Sequence, residues 1–469
     1  MRRLISATFH YGLGGVAPKV VSFLLLPVFA LVLTPEDYGI LELAGALTAA
    51  LTILMRLGLP GAVSRFFYEH DDDAGLRDQI TTVQRFLSIA ALIVGLAAAV
   101  VLWRFGEAIL PGLTFHPVIV LVIVTAWLAG FADVQRRLIQ VREQSAYAAK
   151  LNIVTALSGT VLSLVFAVWL RWGALGVLYA NALVALLTFA VAYRYMRRDL
   201  MGSFSPALLR NSLVYASGIL PSHIIGTLAP LAMRVSVAHV GSLATLGLFG
   251  LAVRFVQPLN ILVEAFSNAY MPVYFSVRKN GGERGLLRLA EVGAKVWMMT
   301  VCAVVVVGLY APPLIRLMAP DRFHASADLV PILCVGAAAQ VLYRLVGPEL
   351  MYAKRTWMVP VATLVNSLTA VSAAIVLVPT LGPLGIAIAV PAGYVAAAVV
   401  AGYASSRMVR IPHRWGVIVL VGLAGACVLL LGNLWDAPVL SRLATSTLLS
   451  LCFMGAAGIY WMRSWGRTL

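Results

Sequence analysis

The 469 residues are 61% hydrophobic and 12% charged, with a mean hydropathy of +0.92, against about 25% charged residues in a soluble domain. A net charge of +16 on such a chain does not read as a nucleic-acid footprint, which needs Lys and Arg gathered on a soluble face; here they punctuate apolar runs. Composition excludes a sizeable soluble enzyme domain and leaves a lipid bilayer as the solvent.

Apolar runs of about 18 residues or more qualify as spanning helices, and they recur from end to end. The first, 9–33, follows the basic start MRRLISATFHYG and is expected to stay as an uncleaved helix; it carries Pro18, Lys19 and Pro27. Next come 40–63 with Glu42 and Arg56, 83–103, 114–135 with Asp133, 151–170 and 173–193. The seventh, 213–237, holds Pro221, His223, Pro230 and Arg234, and the eighth, 243–268, holds Arg254, Gln257, Asn260 and Glu264. The rest are 292–311, 326–346, 357–378, 382–404, 415–432 and 439–461. The expected fold is an all-α integral membrane protein of about fourteen transmembrane helices.

The positive-inside rule tests that number independently. With the N-terminus in the cytoplasm, 26 basic residues fall in cytoplasmic segments and five outside: Arg104, Arg171, Arg316, Arg322 and Arg442. Nine of the ten Trp residues sit near span ends, where an amphipathic ring favours the headgroup layer. Both termini are then cytoplasmic. Outer loops are short, so a membrane-embedded glycan polymerase or ligase has no long outer loop to carry its chemistry.

Pro18 and Pro27 on span one are matched by Pro221 and Pro230 on span seven, each pair nine apart and offset by 203. Spans one and seven enter from the same side, which gives a parallel repeat about an axis along the membrane normal. The expected division is an N-lobe over 1–200, a C-lobe over 201–410 and two additional helices over 411–469. The four prolines are the expected hinges.

Four cations lie within spans: Lys19, Arg56, Arg234 and Arg254. Each costs on the order of 3 kcal/mol at the bilayer centre on insertion scales, so they imply a wet cavity, an anionic guest, or internal ion pairs. Arg suits phosphate through its planar fork. Arg234, near a span end, is equally suited to snorkelling; Arg254 has Glu264 on its own helix, but ten residues away, about 15 Å. His223, Asp133, Glu264, Gln257 and Asn260 are candidates for sugar contact or ion coupling, or for bonds between helices.

Other motifs carry no chemistry. GLGGVAPK at 12–19 lacks the GK[ST] ending of a phosphate loop. HDDDAG at 70–75 reads as a solvated turn rather than a metal site, and Cys302, Cys334, Cys427 and Cys452 read as buried small apolar side chains.

The stretch YGLGGVAPKVVSFLLLPVFALVLTPEDYGILELAGALT at 11–48, with its L-T-P-x-D/E-Y-G turn at Leu33 to Gly39, and RLGLPGAVSRFFYE at 56–69 resemble the Wzx-type polysaccharide and O-antigen repeat-unit flippases of the multidrug/oligosaccharidyl-lipid/polysaccharide (MOP) exporter superfamily. The resemblance implies two pseudo-symmetric six-helix lobes in a V around a central cavity, MATE-like, with two extra C-terminal helices. It implies an undecaprenyl-diphosphate-linked oligosaccharide carried across a bacterial cytoplasmic (inner) membrane, with membrane lipids and other polysaccharide assembly proteins as partners, no nucleic acid, and no cofactor beyond an open option of H+ or Na+ coupling. Related lipid II flippases place cavity cations on helices one, two and eight, the helices of Lys19, Arg56 and Arg254 here; that makes these three, with Arg234, the expected diphosphate-binding residues. No acid stands beside Lys19. The rival within the superfamily is a cation-coupled multidrug exporter, which would want acids deep in the cleft.

Overall fold

The computed structural model describes residues 14–15, 17–69, 72–355, 357–409, 411–434 and 439–465. Among them all regular structure is helical, and thirteen helices are long and apolar enough to cross a membrane. The chain is an all-α integral membrane protein. The expected span 9–33 lies partly outside the described residues; Pro18, Lys19 and Pro27 lie within them.

The chain forms two compact units, Met1–His239 and Val240–Leu469. In the first, α1 comprises helical residues 17–24 and Leu26–Val32, followed by α2 (Pro35–Arg56), α3 (Leu59–Phe66), α4 (Asp73–Ile109), α5 (Val120–Val141), α6 (Ser145–Ser163), α7 (Gly173–Met196) and α8 (Pro206–Val240). The second holds α9 (Leu243–Asn280), α10 (Gly282–Met318), α11 (Ala325–Val346), the short α12 (Pro348–Tyr352), α13 (Met358–Leu381), α14 (Pro383–Ser406), α15 (Trp415–Leu434) and α16 (Val439–Trp465).

The L-T-P-x-D-Y-G turn is a helix start. Thr34 is the N-cap of α2 and Pro35 its first helical residue; Asp37 N donates to Thr34 Oγ1 at 3.1 Å and Thr34 N donates to Asp37 Oδ2 at 3.0 Å. Two otherwise orphaned donors are satisfied reciprocally. The acidic run at 70–75 has the same use where it is described: Asp72 caps α4 by accepting from Gly75 N at 3.3 Å.

Helices α4, α8, α9 and α10 far outrun the bilayer, with 37, 35, 38 and 37 residues, about 52–57 Å each at 1.5 Å per residue against a hydrocarbon core of about 30 Å. The apolar windows at 83–103, 213–237 and 292–311 lie inside α4, α8 and α10, and 243–268 is the N-terminal part of α9. Helix continues past the apolar stretch because the flanking Arg, Lys, Glu and Leu residues are good helix formers. Helices α9 and α10 turn at Gly281 and Gly282: Gly282 has φ +52°, and a Cβ on Gly281 would come within 2.6 Å of the Val277 carbonyl oxygen.

The second expected span, 40–63, is broken. Leu57 (φ 50°) and Gly58 (φ 72°) are both left-handed and end α2, and α3 restarts with Pro60 in its first turn. The helix also begins at Pro35 rather than 40, so Arg56 is its last residue, about 31 Å from Pro35. The hinge prolines differ in setting. Leu25 interrupts α1 and Pro27 follows in the first turn of the restarted helix, whereas Pro221 and Pro230 lie inside an unbroken α8.

Residues 199–205, between α7 and α8, are stitched to the end of α5 and to α4. Asp199 receives Arg142 at 2.6 and 3.1 Å, Ser203 N donates to Asp78 Oδ1 at 2.5 Å, and Ser205 N donates to Thr82 Oγ1 at 3.0 Å. Gly202 permits this, since a Cβ there would overlap the backbone of Arg77 and Asp78. Of the cysteines, Cys334 is buried, but Cys427 and Cys452 are exposed, as an apolar side chain facing lipid is free to be.

Candidate cation sites within the membrane helices

Lys19, Arg56, Asp133, His223 and Arg234 belong to the first unit; Arg254, Gln257, Asn260 and Glu264 belong to the second. Lys19 is exposed on α1, and His223 is exposed on α8. On α9, Arg254, Gln257 and Asn260 are half-buried and Glu264 is exposed.

Arg56 and Arg234 have carboxylate partners. Arg56 Nη1 forms an ion pair with Asp133 Oδ2, while Arg136 Nε lies 3.3 Å from Asp133 Oδ1. Arg234 places Nε and Nη2 at 3.2 and 3.1 Å from Glu42 Oε2 and donates to Pro230 O at 3.2 Å. The Arg56 and Asp133 side chains are 22% and 20% exposed, those of Arg234 and Glu42 18% and 17%. Internal pairing, one of the three options for a cation in a span, thus applies to both. The sequence identifies all four residues, but joining helices 77 and 192 positions apart is beyond spacing arguments.

Arg56 is not fully engaged. Ending α2 puts its charge where helix carbonyls concentrate negative potential. Asp133 occupies Nη1, Nη2 makes a 3.4 Å contact with Ala129 O, and the buried Nε has no hydrogen-bond partner among the described residues. Beside it is a chamber of about 140 Å³ lined by Met55 and Arg56 of α2, Gln84, Leu87, Ser88 and Ala91 of α4, Trp127, Gly130 and Phe131 of α5, and Phe189 and Tyr193 of α7. Gln84 is 4% exposed, and its Oε1 also lacks a partner among the described residues.

Trp127 also lines a larger apolar groove of about 1050 Å³, walled by Val124 and Leu128 of α5, Phe166 at the end of α6, and Trp172, Leu175, Tyr179, Ala182, Leu183 and Leu186 along α7. Phe166 is set there by a π-helical turn, Leu164–Trp169, and by Gly176, where a Cβ would lie 2.6 Å from the backbone of Phe166 and Ala167.

A buried trio in the second unit centres on Glu349. Glu349, 1% exposed, accepts from Tyr274 Oη at 2.6 Å and from Arg278 Nε and Nη2 at 3.1 and 3.3 Å. It ties the end of α9 to α12.

Residues 4–277 match the family described as polysaccharide biosynthesis protein. The chain belongs to that family. No curated protein matches it significantly. Among solved structures, this family member is similar to the lipid II flippase MurJ in an inward closed conformation, at 11% identity and a TM-score of 0.76 over 95% of this chain and 98% of that one. It is also similar to an inward-facing multidrug resistance MATE family transporter of the MOP superfamily, at 16% identity and 0.66 over 87% and 94%, and to a Vibrio cholerae MATE transporter, at 15% and 0.56 over 87% and 97%. The fold is the one shared by MATE transporters and MurJ, as the Wzx-type resemblance implies.

Proposed function

We propose that this protein is a flippase that moves an undecaprenyl-diphosphate-linked oligosaccharide repeat unit, of O-antigen, capsule or exopolysaccharide, from the cytoplasmic to the periplasmic leaflet of a bacterial inner membrane. The observation that carries the reading is the polysaccharide-biosynthesis match over 4–277 on a chain with the MurJ fold. Retention of four cations within membrane helices supports it, since an anion crossing hydrocarbon needs positive charge on its path.

In this reading the lobes are 1–200 and 201–410 with accessory helices over 411–469, and both termini are cytoplasmic. Lys19, Arg56, Arg254 and Arg234 hold the diphosphate, His223, Asp133, Glu264, Gln257 and Asn260 serve sugar contact or ion coupling, and Pro18, Pro27, Pro221 and Pro230 serve as hinges. It is a transporter rather than an enzyme. Glu42 and Asp133 are the counter-ions with which a diphosphate shares Arg234 and Arg56.

The test is surface-glycan display with lipid-linked precursor accumulation in cells whose own copy is replaced by Lys19→Ala, Arg56→Ala or Arg254→Ala at matched membrane levels. Loss of surface glycan with precursor held in the inner leaflet is expected. Wild-type behaviour of all three overturns the cationic path. The MATE fold favours a cation-coupled multidrug exporter as the second reading, which instead gives drug sensitivity on deletion with normal surface glycan.

A further inference from the structure

The chamber at Arg56 and the apolar groove lie end to end on one face of α7. Trp172, Tyr179, Leu183 and Leu186 line the groove, and Phe189 and Tyr193 line the chamber, at spacings of three, four or seven that keep them on one helix face. From Trp172 to Tyr193 is about 31 Å at 1.5 Å per residue, the depth of the whole hydrocarbon core. The far end is apolar, and the Arg56 end has donors to spare.

We propose that the first unit carries a binding site for a long-chain polyisoprenyl phosphate, its phosphate in the chamber at Arg56, Gln84 and Ser88 and its chain along the groove on α7. The identity of this lipid rests on the flippase reading; the shape of the site does not. The chamber is many times the roughly 10–15 Å³ that one water needs. With Asp133 on Nη1, Nε is without a partner among the described residues, and Nη2, held only by the 3.4 Å contact with Ala129 O, has a second N–H to give; Nε and Nη2 form the edge suited to two parallel bonds to a phosphate. The Gln84 amide turns either its NH2 or its oxygen to a guest, and among the described residues its side chain makes a 3.5 Å contact with Ser88 Oγ while Oε1 has no partner. Trp127, Phe131 and Phe189 wall the chamber, and such apolar surroundings strengthen a charged hydrogen bond.

Groove length selects the chain. A glycerophospholipid acyl chain covers one leaflet, about half the core, and would leave the stretch of the groove from Leu183 to Trp172, about 16 Å, empty. A polyisoprenyl chain long enough to cross both leaflets fills it.

The experiment is native mass spectrometry of the full-length protein with undecaprenyl phosphate and, separately, dioleoyl phosphatidylglycerol. Wild type is expected to retain one undecaprenyl phosphate; Arg56→Gln and Gln84→Leu each weaken it at least tenfold, and Gln84→Glu, isosteric but anionic, weakens it further. Leu183→Trp, which fills the groove, gives a similar loss and leaves phosphatidylglycerol adducts unchanged. Equal retention by Gln84→Leu and Leu183→Trp overturns the site, as does phosphatidylglycerol binding with the same dependence on Arg56 and Leu183. If a variant does not fold, competition of undecaprenyl phosphate with brominated-lipid quenching of Trp127 and Trp172 in wild type decides: protection supports the site and no protection overturns it. In the surface-glycan assay, loss with Arg254→Ala but normal display with Gln84→Leu and Leu183→Trp leaves the flippase reading standing and this site refuted; normal display in all three refutes both.

Discussion

Asp37 accepts a hydrogen bond from the backbone N of Ala174 at 3.2 Å, so the carboxylate that closes the capping box of α2 also caps the start of α7. Gly173, with φ +56°, leaves room for it: a Cβ there would be 3.3 Å from Asp37 Oδ1. The two helices therefore start at one level. Nineteen residues further along each stand Arg56 and Tyr193, both on the chamber.

Asp37→Ala removes two caps. At roughly 1 kcal/mol per lost cap, the expected loss is about 2 kcal/mol, read as a fall in the thermal midpoint of the purified protein. Asp37→Asn, which keeps an acceptor and loses the charge, is expected to fall by less than half as much. Equal losses from Asn and Ala would show that the charge at the helix N-termini, rather than the hydrogen bond, is what matters.

The Arg56–Asp133 pair gives a thermodynamic cycle. Breaking a fully buried pair costs about 3–5 kcal/mol; at about one-fifth exposure solvent screening reduces that, and each single alanine variant is expected to lose about 1–3 kcal/mol. The double variant should lose less than the sum, because neither charge is then left alone. Additive losses in denaturation of the detergent-solubilised protein would show the two charges to be independent.

Helix number and the in-span cations are legible in the sequence because hydropathy is local: a run of about 20 apolar residues announces itself. The break at Leu57–Gly58 was hidden by the apolar residues on both sides, and the long extensions of α9 and α10 were hidden because hydropathy falls where helicity does not. Arg56 and Asp133 could each be named, but their pairing depends on how α2 packs against α5. Asp37 looked like part of a motif and is a double cap; Gly202 carried no signal at all, since its need comes from the backbone of Arg77 and Asp78 lying against it.

Glu349 binds α12 to α9 through three hydrogen bonds. Glu349→Ala leaves the Tyr274 hydroxyl and the Arg278 guanidinium without their acceptor, and a loss of about 2–4 kcal/mol is expected. Tyr274→Phe removes one bond to a charged group, about 1.5–3 kcal/mol. Limited proteolysis in the turn at Gly281–Gly282 should accelerate in both variants if the trio holds the end of α9 in place; unchanged cleavage would confine its effect to α12.

His413 lies between α14 and α15, half-buried and edge-on to Trp415 with ring centroids 5.4 Å apart. Burial pushes its pKa below the ordinary value of 6.5, because desolvation disfavours the imidazolium. The unfolded chain therefore binds a proton that the folded protein refuses. The contribution of this residue to stability is fully present above about pH 6.5 and is lost as the pH falls through the depressed folded value. His413→Gln removes the titration without adding a charge. Across that acid window the thermal midpoint of the variant is expected to fall less steeply than that of wild type, and above pH 7 the two slopes should coincide. Parallel curves throughout would assign the acid sensitivity to other groups, with the Arg414–Glu291 pair beside it, at 3.2 Å, the next to be tested by Glu291→Gln.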